Sequence, residues 1–290
     1  MIVTPNKDEK KLKIYTTIAS LFILGSCSVA GSWFYERADS FLAEYFKEYA
    51  DFSNQQKDEI DKVTENYLNW FTRNELPVIR AVLVDLKEIN NSNADNLIKE
   101  TYKNGQELFE RSNKYFEKSF VKFSKTLTDL QVDEIKNHFE EIQVEREESR
   151  KEEKVYSEEV IENYISGFRR LNIKLTKAQK NYVKENIKGL KNIRSEWSFF
   201  QEKWVEELIE ILKRRNDQDF EKKITAHLRA LEDLGDEEFK IKRKNNEQIS
   251  IKIISGILSN ASEKQIKGTK RRIETYIASI DRILSNRSLD

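Results

Sequence analysis

The stretch ADNLIKETYKNGQELFERSNKYFEKSFVKF, residues 94–123, decides the fold class. Apolar or small residues fall at Ala94, Leu97, Ile98, Thr101, Tyr102, Gly105, Leu108, Phe109, Ser112, Tyr115, Phe116, Ser119, Phe120 and Phe123. Steps of three and four place them on one face of a helix. A helix of about 30 residues is on the order of 45 Å long, and no turn signal interrupts this one. Gly105, Ser112 and Ser119 recur every seven residues on that face, which predicts close approach of a neighbouring helix. The aromatic stripe reads as core rather than as a ligand box.

The rest of the chain extends the pattern. Its 290 residues include two prolines and eight glycines, and 35% are charged. So few breaks among Lys, Glu, Leu and Ile favour an all-α protein, an elongated array of seven or so long antiparallel amphipathic helices. Loops are expected near Asn90–Asn93, Lys125–Asp129, Asn172–Lys177, Arg215–Asp217, Leu234–Asp236 and Ser259–Ser262. The charge-dense run from Glu140 to Glu159 predicts a continued helix, with pairs such as Glu147 and Lys151, or a hinge. The expected division is 1–26, 27–150 and 151–290, the last two forming one continuous helical domain.

Four segments share a start signal, an apolar residue followed by Ser or Thr, two residues and Gln. They centre on Ser53 and Gln56, Thr128 and Gln131, Thr176 and Gln179, and Ser262 and Gln265. A capping box explains the spacing: the hydroxyl accepts from the third amide of the helix, and the Gln side chain reaches back to the cap amide. The same Leu-Thr-x-x-Gln pattern resembles that of small periplasmic chaperones of the Spy and CpxP type, which cradle unfolded clients on a helical surface.

The first 27 residues carry an address. Lys7, Lys10, Lys11 and Lys13 precede an apolar run from Ile14 to Leu24, too short to span a bilayer, which takes about 20 residues. Leu24-Gly25-Ser26-Cys27 follows. This resembles the lipobox of bacterial lipoproteins, which implies cleavage after Ser26 and a covalent lipid, palmitate among its acyl groups, on Cys27. More than one acyl chain anchors stably. Ser28 stands where an inner-membrane retention signal would have Asp, so the expected address is the outer membrane, facing the periplasm. The chain's one cysteine leaves no internal disulfide to stabilise the fold.

Downstream, Tyr35, Asp39, Tyr45, Tyr49, Asp51, Trp70 and Glu75-Leu76-Pro77 follow in order. They resemble the motifs of an uncharacterised family of helical proteobacterial lipoproteins with a Tyr-x-x-x-Tyr-x-Asp-Leu-Thr turn and a late Glu-Leu-Pro. That family has His-Arg after its Trp, where this chain has Phe71 and Thr72. The resemblance implies no particular activity. Locally, Pro77 disfavours helix at Leu76 and either kinks a helix or opens a new one.

No chemistry is nominated. The two histidines, His138 and His227, lack metal-type spacing beyond Glu134 four residues before His138. Phosphate-loop, dinucleotide and hydrolase motifs do not occur. Without residues 1–26 the chain keeps 47 basic and 49 acidic side chains, a balance that points neither to nucleic acid nor to an anionic membrane surface. The runs Lys240–Lys244 and Lys267–Arg272 read as solvated helix faces, with contact to phosphate or lipid headgroups as the alternative for basic stripes interleaved with Tyr276. The expectation is therefore a non-enzymatic, lipid-anchored envelope protein with no catalytic residues, no metal and no cofactor beyond the lipid on Cys27. Its partners would be the membrane and other envelope proteins, bound in a chaperone-like or assembly-assisting role. Alternatives are a dedicated scaffold of one envelope complex, for which Trp33, Phe34, Phe41 and Tyr45 are candidate contacts, and a cell-envelope hydrolase.

Overall fold

The computed structural model describes residues 35, 37–151, 156–231 and 233–287, the side chains of 148–151 and 287 excepted. The expected signal at residues 1–26, Cys27, Trp33, Phe34 and the Lys151 side chain of the expected Glu147–Lys151 pair fall outside the described residues. Among those described there are eleven α-helices, one 3-10 turn and no strand. They are α1 (Ala38–Lys47), α2 (Asn54–Asn74), α3 (Leu76–Lys87), α4 (Ala94–Ser124), α5 (Asp129–Lys151) and α6 (Tyr156–Arg170). Then follow α7 (Lys177–Asn186), the turn Ile187–Gly189, α8 (Arg194–Lys213), α9 (Phe220–Ala230), α10 (Glu237–Ser259) and α11 (Glu263–Arg287).

All six expected loops separate helices, and α4 matches the periodic run to within a residue. Among the described residues eleven helices stand where seven or so were expected: three further breaks occur, and residues 152–155, between α5 and α6, lie outside the description. One precedes the first cap, at residues 48–53. One is at Glu75, where Pro77 sits in the first turn of α3. The last follows the 3-10 turn, where Leu190 turns extended. There the Asn246 amide accepts from the Lys191 N–H and donates to its carbonyl, each at 2.8 Å. A side chain of α10 thus satisfies backbone that a continuing helix would have paired.

Three apolar clusters hold the helices together, each drawing on both sides of position 151. One joins Phe52, Ile60 and Val132 to Leu208, Leu212 and Ile224. A second joins Ile89 and Ala94 to Phe168, Val183, Ile253 and Ile257. The third sets Tyr67, Phe71 and Leu76 against Ile280 and Ile283 of α11. Each fully buried side chain of this size contributes about 1.5–3 kcal/mol.

Along α4 the seven-residue spacing of small side chains has three different outcomes. Ser112 is buried and accepts from the Tyr67 hydroxyl at 3.1 Å. Ser119 lines a cavity. Gly105 meets nothing within 4 Å of where its Cβ would be, so the close approach expected there does not occur.

Candidate functional site

The four capping boxes form, and they meet two by two. The Ser53 and Thr128 amides donate to the Oε1 atoms of Gln56 and Gln131 at 2.9 and 3.0 Å. The backbone amides of Gln56 and Gln131 in turn donate to their own cap hydroxyls, Ser53 Oγ and Thr128 Oγ1. Across the joint the two amides pair reciprocally: Gln56 Nε2 donates to Gln131 Oε1 at 3.0 Å, and Gln131 Nε2 donates to Gln56 Oε1 at 2.8 Å. Gln56 also donates to the Thr126 carbonyl, and Gln131 to the Asp51 carbonyl, each at 3.0 Å.

The second joint repeats the arrangement. Gln179 Nε2 donates to Gln265 Oε1 at 3.3 Å, Gln265 Nε2 donates back at 3.0 Å, and it also donates to the Lys174 carbonyl at 3.0 Å. Both boxes there close as well. The apolar residue before each cap, Phe52, Leu127, Leu175 or Ala261, is buried. Each joint therefore fixes two helix starts, α2 with α5 and α7 with α11, through reciprocally bonded amides, of which Gln56, Gln131 and Gln179 are buried and Gln265 half-buried.

Beside the first joint lies a half-open cavity of about 230 Å³. Its wall is almost wholly apolar. Phe46, Tyr49 and Phe52 come from α1 and the following loop, and Ile60 and Val63 from α2. Phe116, Phe120 and Phe123 line the α4 side, Ile135 and Phe139 the α5 side, and Leu208 and Leu212 the α8 side. At its edge Glu59 pairs with Lys122 at 2.9 Å. The same two residues and Phe123 border a second, polar cavity of about 310 Å³ floored by Gln56 and Gln131. An apolar recess rimmed by a few polar groups is the usual form of a binding pocket.

The motif residues of the N-terminal region divide between two places. Tyr45 and Tyr49 share a hydroxyl–hydroxyl hydrogen bond. Tyr49 packs on His138 and Phe139, with ring centroids 4.4 and 5.1 Å apart, and so walls the cavity. Asp51 donates its amide to Glu134 Oε2 at 2.9 Å and gives its carbonyl to Gln131. Asp39 lies in the first turn of α1. Phe41 is 52% exposed.

The second group surrounds Glu75, whose side chain is only 2% exposed. Arg111 grips it with Nε on one oxygen and Nη2 on the other, both at 2.8 Å. Next to this pair Tyr67 packs between Trp70, Tyr115 and Phe116. Burial is the main cause that pushes the Tyr67 phenol up to about 12, with the Glu75 and Tyr115 charges adding to it and the Ser112 bond opposing it. Leu76 is buried and Pro77 opens α3. Phe71 and Thr72, which stand where the resembled family has His-Arg, are core residues, and Thr72 shares a 2.9 Å bond with the Tyr35 hydroxyl.

Both histidines are accounted for by packing. His227 stacks on Trp204 with 4.7 Å between centroids, and each ring bonds to the other residue's carbonyl at about 3 Å. His138 lies against Tyr49. No group of three or more His, Cys, Asp or Glu is arranged to hold a metal ion among the described residues. Within the run Lys240–Lys244, Lys240 pairs with Asp233 and Lys242 with Glu196 and Glu238.

The cross-joint pairing of the glutamines was not anticipated from the sequence, nor was the cavity. The available signal was chemical. Glu closes a capping box as well as Gln does, yet all four positions carry the amide, the group that can accept and donate at once. No curated protein and no solved structure matches the chain. Residues 48–240 match a family of unknown function, DUF6279, and the chain belongs to that family.

Proposed function

We propose that the mature chain is a lipid-anchored protein of the bacterial envelope that binds apolar segments of other polypeptides in a chaperone-like or assembly-assisting role, without catalysing a reaction. The observation that carries the reading is the aromatic cavity beside the first joint. Seven rings and several aliphatic side chains present apolar surface to an opening edged by Glu59, which pairs with Lys122. Withdrawing an exposed Leu or Phe of a client from water into such a recess yields about 1.5–3 kcal/mol. Gains of that size for each side chain suit weak, reversible capture. The rigid amide joint beside the recess holds its walls open at no cost on binding.

The address rests on the basic, apolar and Leu-Gly-Ser-Cys27 sequence of the N-terminus, and outer-membrane residence on Ser28. The test is in-cell photo-crosslinking of the full-length chain with benzoylphenylalanine in place of Val63 or Ser119, against the exposed Lys103 as control. A broad set of polypeptides captured from the cavity positions alone supports client binding. A single dominant adduct would instead make the chain the scaffold of one complex. Capture from Lys103 but not from Val63 or Ser119 would remove the cavity from the account.

A further inference from the structure

The overall balance of charge conceals a strong local imbalance at the second joint. Residues 169–184 contain six lysines and arginines and no carboxylate, and residues 264–272 contain five and none. The fold lays these segments side by side. Gln265 donates to the Lys174 carbonyl, Thr269 to that of Leu171, and Arg272 to that of Arg170. The side chains of Arg169, Arg170, Lys174 and Lys177 therefore surround the first turns of α11, which carry Lys264, Lys267, Lys270 and Arg271.

None of these eight cations forms an ion pair within 4 Å among the described residues, and all but the half-buried Lys270 are exposed. The paired run Lys240–Lys244 is different, and so is the first joint, where Asp58, Glu59 and Asp61 follow one cap and Asp129, Asp133 and Glu134 follow the other. The sequence expectation of an ordinary solvated face for Lys267–Arg272 thus meets an unpaired cationic patch.

Helix electrostatics makes the patch costly to the fold. Lys177 and Lys180 lie in the opening turns of α7, and Lys264 and Lys267 in those of α11. A helix N-terminus carries positive partial charge and disfavours cations. α7 has no acidic residue in its first turn, and Glu263 alone serves α11. Two converging N-termini and eight cations make one strongly anion-attracting surface.

We propose that this joint docks on a surface of anionic lipid headgroups, giving the chain a second membrane contact besides any lipid on Cys27. The aromatic inventory favours lipid over single-stranded nucleic acid, which calls for exposed rings on which bases stack. The ring within the patch, Tyr276, is covered by Arg272 at 5.0 Å from its centroid and its hydroxyl is directed to the Arg170 carbonyl. Each cation near an anionic bilayer is worth about 1 kcal/mol, or about fivefold in affinity.

The experiment is vesicle flotation of the full chain carrying Cys27→Ser, in 50 mM salt. Vesicles are phosphatidylcholine alone or with one third phosphatidylglycerol. Floating with the anionic vesicles only, and release at 300 mM salt, is the expected result. The variant Lys174→Glu/Lys177→Glu/Lys264→Glu/Lys267→Glu should lose affinity by several hundredfold. It should also melt no lower than the parent, because acids suit helix N-termini better than lysines do. The control Lys62→Glu/Arg73→Glu/Lys114→Glu/Lys118→Glu changes charge equally on α2 and α4 and should lose far less. Equal flotation with neutral vesicles, or retained binding by the joint variant, would overturn the proposal. So would binding of a 20-nucleotide single strand while anionic vesicles stay unbound.

Discussion

Removing Arg111 should harm the fold more than neutralising the carboxylate it holds. Glu75 is 2% exposed and takes both guanidinium bonds at 2.8 Å, whereas Arg111 is 40% exposed and keeps one side in water. Arg111→Met leaves a carboxylate buried beside Tyr67 and Leu76 with its partner gone. Breaking a buried pair in this way costs about 3–5 kcal/mol. The open side of Arg111 places the value near the lower bound, about 3 kcal/mol. Glu75→Gln keeps an acceptor for Arg111 and buries no charge, so it should cost about 1–2 kcal/mol, the size of a lost charge-assisted bond. The pair Glu75→Leu/Arg111→Met should cost less than Arg111→Met alone, because no buried charge remains. Urea unfolding followed by helical circular dichroism orders the three. A cost below 1 kcal/mol for Arg111→Met, or a double replacement at least as damaging as Arg111→Met alone, would refute the reasoning.

Other consequences follow from single contacts. The raised Tyr67 phenol keeps its proton in the fold between pH 10 and about 12, while the unfolded phenol loses it. Stability is therefore fully present below pH 10 and falls as pH rises, by about 1.4 kcal/mol at pH 11. Tyr67→Phe should remove that share of the alkaline loss, which urea midpoints at pH 8 and pH 11 compare directly. Gly235 has φ of +100°, and a Cβ there would lie 2.3 Å from the ring of the buried Phe239. Gly235→Ala should lower stability by about 1–3 kcal/mol, read as a lower melting temperature, whereas Gly105→Ala, with open space around it, should raise helix stability by a fraction of about 1 kcal/mol.

Local rules made much of this protein legible in its sequence. The period of α4 and the four caps are each written within a few residues, so sequence alone placed them, and Pro77 announced a kink or a new helix, which the fold resolves as the start of α3. What it could not supply is which distant pieces meet. Gln56 and Gln131 lie 75 residues apart and Gln179 and Gln265 lie 86 apart, and a capping box reads the same whether its Gln faces water or another Gln. Glu75 illustrates the same limit: the Glu-Leu-Pro motif announces a helix break, but the Arg111 that makes Glu75 a buried anchor lies on α4. Charge was the most misleading guide. A total near neutrality hid unpaired cations at one joint and carboxylates at the other, because a sum carries no positions.

The paired joints are tested most directly by a double-mutant cycle on Gln56→Ala and Gln131→Ala, with Gln179→Ala as the outside reference. Two direct amide bonds link the first pair, so their coupling energy should be about 1–2 kcal/mol. Gln131→Ala and Gln179→Ala belong to different joints and should add to within about 0.5 kcal/mol. Coupling within the first joint and additivity between the joints is the predicted result. Additive losses for Gln56→Ala and Gln131→Ala would mean four separate helix caps, and would contradict the joint that borders the proposed cavity.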